Sequence, residues 1–254
     1  MVDDNGNVVK EDMGTITISS EVSEDGEGST EEKGTDGRAS EETVGAESKN
    51  QELYRDFLKD YYTFYKEAKA GKFELGLAEY SNRSDSILSK WLLWWDYVSS
   101  PDQMEYAFWD LDENGTDELL VIVGDEVVAI ISINNGSPKA ITSSWSRSAL
   151  WVDANKNVYQ SSTDGSYFTE WVRYRVSGCD LVIKESVCYE EEYEDGKVFG
   201  KYYYHAEGTN LFGRTDQGTK ISEAEFEKTL KDWKEDHHSV NDLNVKTYNI
   251  KDYK

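Results

Sequence analysis

The chain is poor in cysteine, proline and positive charge, and it contains no long apolar run. Its 254 residues include two cysteines and two prolines, and 27 Lys and Arg stand against 51 Asp and Glu for a net charge of −24. Phosphate backbones are gripped by clustered Lys and Arg, so this imbalance argues against nucleic acids and other polyanions as partners. No stretch reaches the roughly 18 consecutive apolar residues of a membrane helix, and the first residues lack the basic and apolar regions of a signal peptide. Membrane contact is therefore expected only through an upstream anchor that has been removed. Cys179 and Cys188 lie in "SGCDLVIKESVC", which alternates as a strand does. Nine residues at about 3.3 Å each separate them by about 30 Å, against a limit of roughly 7 Å between α-carbons for a disulfide. Gly-x-Ser-x-Gly, P-loop and dinucleotide fingerprints are missing, and with them any motif that names a reaction.

What is present is unevenly spread. Residues 1–49 carry 14 acidic and 4 basic residues and no Phe, Trp or Tyr. Such a segment cannot bury enough apolar surface to offset the entropy of ordering it, and it is expected to be a disordered acidic tether. All 33 aromatic residues fall in 50–254, a normal length for one domain with its own core.

Within that part, Ser48 to Gln51 has the form of a capping box. Leu53, Phe57, Tyr61 and Phe64 then recur at helical spacing until Gly71. A second helix is expected over about 84–97, with Leu88, Trp91, Trp95 and Val98 on one face. From about residue 104 the period becomes alternating, in runs of five to eight residues between turn signals such as Asn135–Gly136 and Asp164–Gly165. Ser222 and Glu225 form another capping box ahead of Phe226, Leu230 and Trp233. The expected fold is α+β: an antiparallel β-meander with two N-terminal helices and one C-terminal helix.

One loop has the composition of a metal site. In "DLDENGTDEL", Asp110, Asp112, Asn114, Thr116 and Glu118 place oxygen donors at alternate positions around Gly115, Thr116 through its backbone carbonyl. Calcium suits such a set because it accepts six to eight oxygens in flexible geometry. An EF-hand is excluded: its twelfth position needs a bidentate Glu, which here is Val121, and both flanks alternate like strands. The same residues also make a metal-free hairpin turn, since Asn and Gly accept positive φ. The loop is similar to the calcium loops of integrin-type β-propellers. An aromatic strand leading into Asp-x-Asp-x-Asn-Gly-x-x-Glu-Leu-Leu, a meander, and "KISEAEFEK" together resemble a group of uncharacterised secreted proteins and lipoproteins of Gram-positive bacteria. That resemblance covers roughly 50–254 and implies an extracellular or cell-surface module, without supplying an activity.

The remaining constellations have plainer readings. His237 and His238 follow the last helix as a solvated helix end, and "YEEEYEDGK" at 189–197 is a charged strand around an Asp-Gly turn. A glycosidase would need two carboxylates facing each other across about 5 to 9 Å. Trp151, Tyr167 and Trp171 are a candidate ligand surface for a glycan or protein, although core filling accounts for aromatic residues with fewer assumptions. The expected function is a non-enzymatic, extracytoplasmic module of unknown ligand, stabilised by calcium. The alternative is a glycan-binding or glycan-hydrolysing protein using the aromatic-rich middle strands. Limited proteolysis is expected to remove residues 1–49 first and leave a resistant fragment beginning near residue 50; protection ahead of residue 48 is the contrary result.

Overall fold

The run Glu118–Val123, "ELLVIV", buries all six of its residues. Alternate side chains of a strand point to opposite faces, so such a strand must be covered on both sides. A computed structural model, which describes residues 51–71, 100–144, 147–164, 167–195, 197–206, 218–235 and 240–253, shows what covers it. All of these residues fall within one unit of the chain, Ser40–Lys254.

Two antiparallel sheets carry the described fold. The first has the order β11-β1-β2-β3-β4, formed by β1 (Met104–Trp109), β2 (Glu118–Val123), β3 (Glu126–Asn134), β4 (Ser137–Ser143) and β11 (Thr247–Asn249). The second has the order β10-β9-β8-β7-β6-β5, formed by β5 (Ser148–Val152), β6 (Asn157–Asp164), β7 (Phe168–Ser177), β8 (Asp180–Glu194), β9 (Lys197–Ala206) and β10 (Thr219–Ile221). Asn135 and Gly136, with φ of 50° and 77°, make the positive-φ turn between β3 and β4 that their sequence suggests.

Helix α1 (Arg55–Lys69) lays Phe57, Leu58, Tyr61 and Phe64 on one face of the first sheet, against Met104, Leu119 and Val121. Leu120 and Ile122 point the other way and pack with Leu150, Val152, Val158 and Val176 of the second sheet. The far face of that sheet holds Trp151, Tyr159 and Val187 beneath Phe226 and Trp233 of α2 (Glu223–Glu235). The layers are helix, sheet, sheet, helix.

The expected single meander is thus corrected to two, because the chain leaves the first sheet after β4 and starts a second one that packs on it. Consecutive strands pair as neighbours within each sheet. The expected C-terminal helix is present with its capping box: the Glu225 N–H donates to Ser222 Oγ at 3.3 Å and the Ser222 N–H to Glu225 Oε2 at 2.9 Å. The helix expected at about 84–97, the Ser48 cap and the His237–His238 pair lie outside the described residues.

Leu120, fully buried between the sheets, and Ser222, at the surface end of α2, should differ in cost. Urea denaturation is expected to show Leu120→Ala losing about 2–5 kcal/mol and Ser222→Ala about 1 kcal/mol. The order would reverse if the sheets did not share one core.

Candidate metal centre

Between β1 and β2 the chain must turn while Trp109 and Glu118 remain paired across the two strands. Glu113 and Gly115 make this turn at positive φ, 62° and 83°. Carboxylates then fold inward onto the loop's own N–H groups. Asp110 Oδ1 accepts from the Asn114 N–H at 3.0 Å and Oδ2 from the Gly115 N–H at 2.9 Å. Asp112 Oδ1 accepts from the Asn114 N–H at 3.2 Å. Asn114 turns its own Oδ1 back to the Thr116 N–H at 2.7 Å.

The three acidic residues among the five expected ligands converge. Asp110, Asp112 and Glu118 each offer a carboxylate oxygen, and these oxygens all lie within 4.8 Å of one another. Such a group can hold a metal ion. Asp110 and Asp112 are half-buried, whereas Glu118 is 1% exposed. Two donors meet the buried carboxylate: the Leu111 N–H at 2.9 Å and Ser132 Oγ at 3.0 Å. Burial pushes the Glu118 carboxyl up to about 7, with the charges of Asp112 and Asp110 adding to the rise and its two hydrogen bonds opposing it. At an effective dielectric of about 20, unit charges within 4.8 Å repel by roughly 3.5 kcal/mol or more. A proton on Glu118 or a cation among the three relieves that repulsion.

Contacts from distant parts of the chain hold this loop in place. Asp112 Oδ2 accepts from the Gly178 N–H at 2.7 Å, tying the loop to the turn between β7 and β8. Lys156, ahead of β6, is paired with Glu113 at 3.2 Å. Tyr54, buried at the start of α1, places its hydroxyl 2.8 Å from the Asp117 carbonyl and 3.2 Å from that of Ile131. Sequence reasoning missed Gly178, which is 66 residues from its partner. Ser132 had a faint signal as a polar residue inside the apolar run of β3.

The candidate ligand surface is corrected. Trp151 is buried and stacks on Tyr159, with centroids 5.3 Å apart and planes within 2°. Trp171 meets Phe226 edge-on at 5.6 Å. Trp151 belongs to the core under α2, Trp171 is partly buried against that core, and Tyr167 is exposed. The acidic run at 189–197 lies on β8 and the turn to β9, where Glu192 pairs with Lys201. Cys188 is buried in β8 and burial pushes its thiol up to about 12, far from a reactive thiolate. No protein-family model, curated protein or solved structure matches the chain.

Because the folded state binds a proton on Glu118 more tightly than the unfolded chain does, its contribution to stability is full below about pH 4.5 and declines as pH rises through about 7. In calcium-free buffer, wild type is expected to lose on the order of 2–3 kcal/mol relative to Glu118→Gln between pH 5 and pH 8. Urea unfolding across that range measures it, and a constant difference is the contrary result.

Proposed function

We propose that this protein is a non-enzymatic, extracytoplasmic binding module whose two sheets are stapled by calcium at Asp110, Asp112 and Glu118. The observation that carries the metal is the convergence of the three carboxylate oxygens within 4.8 Å. Calcium accepts oxygen ligands at about 2.3–2.6 Å and tolerates the irregular geometry a hairpin loop offers. Each carboxylate oxygen that accepts an N–H keeps a second lone pair for a cation. The Thr116 carbonyl, the Asn114 amide and water complete the proposed set. Extracytoplasmic placement is supported by the resemblance of the loop, strands and C-terminal helix to Gram-positive surface proteins. It also suits a weak site, since extracellular modules bind calcium with dissociation constants of about 0.1–1 mM.

The glycan-binding or glycan-hydrolysing alternative is less well supported, because Trp151 packs in the core beneath α2 and Trp171 is partly buried against it. At about 1 mM calcium, a site of this strength adds about 0.4–1.4 kcal/mol to stability. Thermal melting is expected to rise by a few degrees on adding calcium to wild type and to stay unchanged for Asp110→Ala and Glu118→Gln. Equal melting with and without calcium in wild type would contradict the staple.

A further inference from the structure

In a chain of net charge −24, three cationic side chains meet at one open cavity on the second sheet. It has a volume of about 460 Å³ and is lined by Asn155, Asn157, Arg173, Arg175 and Lys184. The turn between β5 and β6 builds one wall. Asp153 is buried there and accepts four hydrogen bonds: from the N–H groups of Asn155 and Asn157 at 2.8 Å, Asn157 Nδ2 at 2.6 Å and the Tyr159 hydroxyl at 3.0 Å. The turn so fixed presents the Asn155 carbonyl, which accepts from Arg175 Nη1 at 2.8 Å and orients that guanidinium.

The charges around the cavity do not cancel. Glu185 pairs with Arg173, and the Asp153 carboxylate is engaged by its own donors. Arg175 and Lys184 make no ion pair among the described residues. The Arg173 Nε–H is buried and finds no acceptor among them. Arg173 is held by Glu185 at the inner side of the cavity, which leaves Arg175 and Lys184 as its free cations among the described residues. Arg175 and Lys184 also line an adjoining depression of about 520 Å³ beside Asp112 and Glu113. The space therefore accommodates more than a bare ion, with the positive charge at one end.

We propose that this cavity binds a small ligand through one oxyanion group, a phosphate or a carboxylate, received by Arg175 and Lys184 with Arg173 at its inner side. A guanidinium offers paired N–H donors that match both groups. The acidic surface opposes long polyanions, but charges beyond about 8 Å are largely screened at physiological salt, which leaves the local cluster to govern a single small anion. The site needs no metal, and only its adjoining depression reaches the calcium loop, at Asp112 and Glu113.

The test uses the full chain in calcium-free buffer, titrated calorimetrically with inorganic phosphate, glycerol phosphate and glucuronate, and with glucose as the neutral probe. Saturable binding of at least one anion and none of glucose is expected. Arg175→Gln with Lys184→Gln should weaken it by about tenfold or more, while Lys228→Gln with Lys231→Gln, which removes the same charge from α2, should leave it unchanged. Binding of the phosphates alone assigns the site to phosphate, and of glucuronate alone to carboxylate. If circular dichroism shows the first double variant unfolded, Lys184→Gln alone replaces it. No saturable binding of any anion, or equal weakening in both double variants, would overturn the proposal.

Discussion

Leu119, Leu120, Val121 and Ile122 are all inaccessible to solvent, yet as neighbours in a strand they point alternately to opposite faces. β2 is therefore held only while α1 covers one face and the second sheet covers the other. Its antiparallel neighbours inherit the condition: Met104 and Tyr106 of β1 face the helix, and Ala107 faces the second sheet. Removing either cover would expose a full row of β2 side chains, so the outer helix and the second sheet belong to one cooperative unit with it.

This double burial explains the chemistry of the loop. Glu118 opens β2 and is carried into the core with it, so a carboxylate stands where an apolar residue would ordinarily be. Leu111 and Ser132 supply its two hydrogen bonds, and Asp110 and Asp112 bring further negative charge beside it. A buried carboxylate so placed is stabilised by taking up a proton or a cation. Asp112 reaches the second sheet through the Gly178 N–H, so whatever fixes the loop also fixes how the two sheets meet. Calcium binding here would act on the inter-sheet junction as well as on a hairpin.

Much of this was legible locally. The alternation of oxygen donors from Asp110 to Glu118 marked the loop whose carboxylates converge, and the five-residue apolar run after it marked a strand. Ser222 and Glu225 marked the start of α2. The split into two sheets was not legible, because it depends on β5 declining to pair with β4, and nothing in "SSWSRS" specifies which sheet the next strand joins. β10 escaped notice because three largely exposed residues are strand only through pairing with β9. Trp151 and Trp171 looked the same in sequence whether they formed a platform or a core; only the packing of Phe226 and Trp233 decides between the two. The basic cavity was invisible for the same reason, since Asn155 and Lys184 are brought together by sheet register.

The account turns on a cation at the three converging carboxylates. Crystals grown in calcium, with anomalous diffraction data, test this most directly. The account predicts an anomalous peak enclosed by Asp110, Asp112 and Glu118, with oxygens at about 2.3–2.6 Å. Water alone at that point, at saturating calcium and at a pH well above 7, would contradict it.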